Sequence, residues 1–470
     1  MFFRKRDTLT QLGMSSEGVC SHLFLVGGTG AGKTSVLRLL MRDILKRGSQ
    51  GVGVLWAAVK PDEFDNAERV AKAARCQDRL VRLTPGAFRY NFLAYELLRP
   101  GGSAVTATKL LQDLNRQLRR SGNEGDEFWA NLFAKMSEYA IQACYLAKRG
   151  KVTIDDVYRL IMSSPATFEQ LASEAFCQKS FCVQTLQAAE QAVQSPAEKR
   201  LLEQAANFFL FEAIQFGSKA RGAAISQVSA VLSPFIQSPM YETVNCETSN
   251  FSPDLVLDGA IAVMDAPVLQ HGDAGRFFQT LLTTQVTEAA LRRPNPERMA
   301  VIVRDELQML VADPTMEAMN LSVARSQRLA FVSGVQSLPT LQEAMGGNQA
   351  EQALHSLLAN YSTKLVFSNP CKATNAYFSE AWGQHREEFV SVSESKEEEE
   401  LDLLNLLTGN DRLLFSLSEQ MQPRCPIDAF SRLRRGGGRQ RLVDAFLSQA
   451  GRTYGNGHSP FTLITFKQTL

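Results

Sequence analysis

Apolar residues recur along this chain with two different periods. In the first and last parts of the sequence they form short, nearly unbroken runs. These are Leu23 to Val26, Val52 to Val59, Leu80 to Leu83, Gly259 to Met264, Met299 to Val303, Leu329 to Ser333 and Thr363 to Ser368. Runs of this length, with no polar alternation, are what strands look like when helices cover both faces of their sheet. Helical patterns follow some of them: Val36, Leu39, Leu40 and Ile44 after the first run, and Ala373 to about Trp382 after the last. Alternating strand and helix predicts a parallel, doubly wound sheet.

Between these parts the period becomes helical. Leu110, Leu114 and Leu118 recur every four residues, and Phe128, Leu132, Met136, Tyr139, Ala143 and Leu146 form a stripe that stops at Lys148-Arg149-Gly150. Thr153-Ile154-Asp155-Asp156 and Ser195-Pro196-Ala197-Glu198 read as helix starts, the second with Pro at the first helical position. Few strand signals interrupt the stretch from Thr106 to about Ser218. The fold class is therefore α/β with an inserted all-α domain. The predicted division is 1–105 and 246–430 for the two parts of the α/β domain, 106–245 for the insert and 431–470 for a basic C-terminal tail. Ser393 to Glu400 reads as a solvated linker or helix start.

Composition narrows the classes without choosing among them. The chain has 470 residues, 44% hydrophobic and 21% charged, with a formal net charge of +1. This is ordinary globular material, neither disordered nor uniformly basic. Any grip on nucleic acid must come from local patches or from loops repeated in an oligomer. Candidates are Arg116 with Arg119 and Arg120, Lys219 with Arg221, and the run Arg432 to Arg441, which reads RLRRGGGRQR. The first residues carry charge without an apolar stretch behind it. The longest charge-free run, Gly222 to Tyr241, holds too many Ser, Gln and Pro residues to cross a bilayer. A cytoplasmic protein is the expectation. The eight cysteines contain no CxxC pair and the five histidines are scattered, so free thiols are expected rather than a zinc site.

One motif stands far above background. The run Leu23 to Val26 leads into Gly27-Gly28-Thr29-Gly30-Ala31-Gly32-Lys33-Thr34, followed by Ser35 and an amphipathic helix. This is G-x-x-x-x-G-K-[ST] in full, in the order strand, loop, helix. Glycines let the backbone wrap a phosphate with successive N–H groups pointing inward, and the helix adds its positive end. Residues Gly27 to Ser35 would cradle ATP, Lys33 would reach the β- and γ-phosphates, and the Thr34 hydroxyl would coordinate Mg2+.

A nucleotide hydrolase also needs an acidic strand end. Met299 to Val303 leads through Arg304 into Asp305-Glu306. Asp305 would hold the Mg2+ shell through water and Glu306 would polarise the attacking water. Arg304 is expected in a local ion pair, with phosphate sensing as the alternative. The run ending in Asp265 has no second acid and reads as a neighbouring core strand. Gln336, at the carboxyl end of its strand, would contact the γ-phosphate. Arg325, at a helix-to-strand turn, would reach a neighbouring subunit's site as an arginine finger. More than half of the chain separates the loop from the acidic pair, which leaves room for the insert.

Taken together, these residues resemble the coupling ATPases of conjugative type IV secretion, the TraG/TraD class of the FtsK–HerA superfamily, over roughly Ser21 to Phe430. HLFLVGGTGAGKT is similar to the family's opening motif. Phe88-Arg89-Tyr90-Asn91-Phe92-Leu93 is similar to its F-N-P-L segment, with Phe92 in place of proline. Asp126-Glu127-Phe128-Trp129 resembles the D-x-F-W start of a helix, VIVRDELQ the second acidic motif, and ARSQRLAFVSGVQSLPTL the segment carrying the finger arginine and motif glutamine. Thr363 to Phe367 and Ser379 to Gly383 continue the likeness.

The resemblance implies a RecA-like P-loop NTPase core and a homo-hexameric ring. ATP hydrolysis between subunits would drive single- or double-stranded DNA, or a DNA–relaxase substrate, through a channel, with the helical domain at its mouth. Two departures qualify it. Only about twenty residues precede the first strand, where the family carries a membrane anchor, so a secretion-channel or inner-membrane partner would have to recruit the protein. Val59-Lys60-Pro61-Asp62 also stands where the family has Asp-Pro-Lys-Gly. Two other readings stay open: a motor of the same fold acting on protein, and a non-motor ATP-dependent assembly switch.

Overall fold

The apolar runs become one sheet. The computed structural model describes residues 14–47, 51–118, 127–311, 313–346, 349–394, 413–455 and 457–469. Strands β1 (Leu23–Val26), β2 (Gly53–Ala57), β3 (Leu80–Arg82), β4 (Ile261–Met264), β5 (Ala300–Arg304), β6 (Leu329–Val335) and β7 (Thr363–Phe367) pair in parallel in the spatial order 7-1-6-5-2-4-3. β1, β2, β4, β5 and β6 are buried at every residue. This explains why they read as continuous apolar runs rather than alternating ones.

Successive residues of each strand feed opposite layers. Leu23 and Leu25 face helices Lys33–Leu45 and Glu63–Ala74, through Val36, Met41, Val70 and Ala71. Phe24 and Val26 face the other layer, which includes helices Val268–Leu291 and Leu338–Met345. The sheet is therefore doubly wound, as expected. Asp265, just past β4, accepts from Arg82 Nε at 2.7 Å and Thr84 Oγ1 at 2.9 Å, the structural role expected for that run.

Between Ala104 and Val244 every described element is helical. Thr153 and Asp156 form a reciprocal capping box, and Ser195 caps its helix ahead of Pro196. The apolar residues of these helices join the same cluster as one sheet face, so the insert and the sheet share a core. Asn91 ties that junction. Buried at 1% exposure, it caps helix Phe92–Leu98 and donates from Nδ2 to the carbonyls of Val152 at 2.8 Å and Cys246 at 2.9 Å.

Three features differ from, or fall beyond, the sequence reading. Gln384–Glu394 (β8) and Leu413–Pro423 (β9) pair into a two-stranded antiparallel ribbon, so Ser393 and Glu394 end a strand rather than start a linker. The rest of that charged stretch, like Arg119, Arg120 and Asp126, lies outside the described residues. Within 431–470, Leu442–Gln449 (β10) and Phe461–Lys467 (β11) extend the sheet antiparallel beside β7, making nine strands. The arginine-rich stretch before them has the loop character expected of a tail. The hairpin is held by an aromatic cluster in which Phe461 stacks on Trp382 with centroids 4.4 Å apart, flanked by Phe430 and Phe446.

Because Phe461 is buried at 6% exposure in that cluster, Phe461→Ala should cost about 3 kcal/mol of stability. Chemical denaturation checks this; a loss well under ~1 kcal/mol would mean that the hairpin is peripheral to the core.

Candidate active site at the carboxyl ends of the central strands

Parallel strands bring their carboxyl ends to one edge, and β1, β6, β5 and β7 deliver the chemistry there. The loop after β1 is tied down by its neighbours: Gly27 N donates to Val335 O at 3.3 Å and Gly28 N to Ser368 O at 2.9 Å. Gly32 has φ of 97°, and a Cβ on it would lie 2.7 Å from Val443 of β10. Both the backbone angle and the space require glycine at that position.

Lys33 begins the following helix at 7% exposure. Its Nζ folds back onto the carbonyls of Gly27 at 2.6 Å and Gly28 at 3.3 Å. Burial lowers its pKa, against the pull of the Glu306 and Asp305 carboxylates. Thr34 Oγ1 donates to Asp305 Oδ2 at 2.6 Å, which brings the loop's hydroxyl and the strand-end carboxylate together. Asp305 is 2% exposed and its Oδ1 is buried with no hydrogen-bond partner. The Thr34 hydroxyl and the Asp305 carboxylate, one of whose oxygens is unsatisfied, form a hard-oxygen donor set that fits Mg2+.

Gly334 of β6 makes room for this. A Cβ there would come within 2.6 Å of Asp305 Oδ1.

Glu306 adopts a left-handed backbone, φ 64° and ψ 52°, which is strained for a residue with a side chain. Both carboxylate oxygens are engaged: Oε1 accepts from Lys60 Nζ at 2.9 Å and Oε2 from Gln308 Nε2 at 2.7 Å. Burial pushes its pKa up, but these two donors outweigh burial and hold the carboxyl below its usual value. Lys60 therefore stands at the site despite the altered order of its turn. Glu63, three residues on, was not singled out by the sequence. It is buried, accepts from Trp56 Nε1 at 3.2 Å, and is pushed up to about 7 by burial and by the Asp305 charge. Only the turn's position after a core strand pointed to these two residues.

Gln336 follows β6 directly and lies at the same edge, its backbone carbonyl accepting from Asn369 Nδ2 at 3.0 Å. Arg325 is not brought to the site. It is exposed before the first residue of β6, at the opposite edge of the sheet, about 20 Å from the loop at the ordinary strand rise. Arg304 points into the helical layer. There it forms an ion pair with Glu317, donates to Tyr361 Oη at 3.2 Å and Ser333 Oγ at 3.3 Å, and lies 4.7 Å over the Phe331 ring. The expected local ion pair is thus present.

The arginine-rich segment reaches the loop as well. Arg435 donates to Thr29 O, and Gln468 Nε2 donates to Ser35 Oγ at 2.9 Å. Arg434 is held by Asp444 in a two-pronged contact at 2.7 Å. Among the described residues no cluster of His, Cys, Asp or Glu has the arrangement of a three-ligand metal site, and no helix is long and apolar enough to cross a membrane.

Residues 300–421 match the family model described as the TraM recognition site of TraD and TraG. The solved structure of the bacterial conjugative coupling protein TrwBdeltaN70, unbound, superposes with a TM-score of 0.63 at 16% identity, over 98% of this chain and 90% of that one. The plasmid coupling protein TrwB with the ATP analogue ADPNP gives 0.61 at 17% identity, over 97% and 89%. Its complex with ADP and Mg2+ gives 0.58 at 16% identity, over 97% and 89%. At such identities the superpositions show the fold, and the family match bears out the TraG/TraD resemblance over its stretch. No curated protein sequence matches the chain.

Gly334→Ala should displace Asp305 while the sheet persists, at an overpacking cost of about 1–3 kcal/mol. If Thr34 and Asp305 hold Mg2+, nucleotide affinity in the variant should no longer rise when Mg2+ is added, although affinity in chelator stays at the parent's level. Calorimetric titration with and without Mg2+ checks this, and an undiminished Mg2+ effect would count against the assignment.

Proposed function

We propose that this chain, similar to the TraG/TraD coupling proteins in sequence and in fold, hydrolyses ATP between the subunits of a homo-hexameric ring in order to move DNA. The observation that carries the reading is the meeting of Thr34 with Asp305, and of Glu306 with Lys60, at the mouth of a complete phosphate-binding loop. Phosphoryl transfer to water needs charge neutralisation and a positioned nucleophile rather than covalent chemistry, and this set of residues supplies both.

Each residue has a defined task. The loop amides and the start of helix Lys33–Leu45 hold the phosphate chain. Lys33 exchanges its two carbonyl acceptors for the β- and γ-phosphate oxygens. Thr34 and Asp305 hold Mg2+, which when bound neutralises charge on those oxygens. Glu306 orients the water and accepts its proton, and Gln336 contacts the γ-phosphate from the end of β6. Arg325, remote from its own loop, serves a neighbour's site in trans.

The ring reading also accounts for the near-neutral charge. A few basic stretches per subunit, among them the Arg435–Arg441 segment, add up around a channel. The insert at about 106–245 would sit at the channel mouth and take a DNA–relaxase substrate. A protein contact is favoured for 300–421 by the description of the matching family, and such a partner could bring the chain to a membrane channel.

DNA should stimulate ATP hydrolysis at low salt, and Lys33→Ala or Glu306→Gln should lower the stimulated rate by about 100-fold or more. A rate that stays flat across DNA concentrations would sink the translocase reading. Mixing Arg325→Ala subunits with Lys33→Ala subunits should restore part of the activity that neither has alone. No recovery at any ratio would remove the finger role from Arg325.

A further inference from the structure

Glu306 is held in a way that opposes the role given to it. A general base that orients water needs a carboxylate oxygen facing that water. Here each oxygen already accepts from a donor, Oε1 from Lys60 Nζ at 2.9 Å and Oε2 from Gln308 Nε2 at 2.7 Å, and the Lys60 ammonium holds Oε1 by charge as well. The two donors are not equivalent. Gln308 lies two residues along the same turn and moves with Glu306. Lys60 comes from the turn after β2, which reaches the site because Ala57 of β2 is in register with Arg304 of β5.

Mobility is also unequal. The Glu306 side chain is 8% exposed and its backbone is fixed in the left-handed region, whereas the Lys60 side chain is 40% exposed on a flexible stem. The cation, not the carboxylate, is the part free to leave. It has a close parallel in Lys33, whose ammonium is parked on the carbonyls of Gly27 and Gly28. The Lys60 charge reaches Lys33, and both ammonium groups feel Asp305 and Glu306. Two lysines resting on internal acceptors thus flank the place where the loop leaves the terminal phosphate. A lysine is a compact point charge suited to that ligand.

We propose that Lys60 is a latch on Glu306: it occupies the carboxylate while the site lacks a γ-phosphate and transfers to that phosphate when ATP binds, freeing Oε1 for the attacking water. Lys60 is then a positioning residue that makes the base available only when its substrate is present. The inference rests on the reading of the site as an ATP hydrolase. ADP, lacking the γ-phosphate, would leave the latch closed.

The test compares binding of ADP and of a non-hydrolysable ATP analogue, both with Mg2+, to the full chain. Lys60→Met should weaken the analogue about tenfold, the range of a charged hydrogen bond, and leave ADP unchanged; Lys60→Arg should restore most of the difference. Glu306→Gln frees Lys60 from its competing partner and should tighten the analogue several-fold, again without affecting ADP. That gain should vanish in the Lys60→Met, Glu306→Gln double variant. If Lys60→Met weakens both nucleotides equally or neither, or if the gain from Glu306→Gln survives without Lys60, the latch is overturned. A parent chain that binds neither nucleotide overturns the hydrolase reading itself.

Discussion

The hydrogen bond from Thr34 Oγ1 to Asp305 Oδ2 is 2.6 Å long and joins residues 271 positions apart. The rest of the site depends on it, and it depends on the order of the strands. β6 lies between β1 and β5, so the loop hydroxyl must reach across one strand to meet the carboxylate. Gly334 of β6 permits that reach, since a side chain there would fall on Asp305 Oδ1. A parallel sheet with buried faces puts all three strand ends on one edge at a set spacing. The bond is therefore a consequence of topology rather than of local sequence.

The same sheet links that edge to the far side of the molecule. Arg304, one residue before Asp305, is fully buried in a polar cluster with Glu317, Tyr361 and Ser333. Removing one partner of such a cluster would leave a charge uncompensated in the interior. Glu317 belongs to helix Pro314–Ala324, which runs directly into Arg325. His22 adds two bonds to this region, accepting from Phe331 N at 3.1 Å and meeting Leu321 O at 2.8 Å, and burial lowers its pKa to about 4, so it is neutral there. The strand end that carries Asp305 and the helix that leads into Arg325 are thus joined through a buried polar and aromatic cluster.

The C-terminal hairpin closes the site from the side opposite the acids. β10 places Val443 beneath Gly32, and the chain on either side of the hairpin brings Arg435 to Thr29 and Gln468 to Ser35. Asp444 anchors Arg434 and so fixes where its neighbour can reach. The loop is consequently shaped by residues from both ends of the chain.

Local sequence was enough for the elements whose signal is local. The glycine loop, the strand runs, the caps at Thr153 and Ser195, and the acidic pair after β5 could all be read because backbone conformation and burial period leave their mark within a few residues. The same chain could not reveal β8 and β9, a two-stranded ribbon whose described side chains are mostly exposed, so that no burial period marks them. It could not reveal β10 and β11 either, whose short alternation is masked by the arginine-rich stretch before them. Nor could it show that Lys60 stands beside Glu306 and Glu63 within range of the Asp305 charge, that Arg325 lies at the edge away from its own loop, or that Arg304 is neutralised by Glu317. Those facts depend on which strands become neighbours, and strand order is set by the packing of layers across the whole sheet, to which no single segment holds the key.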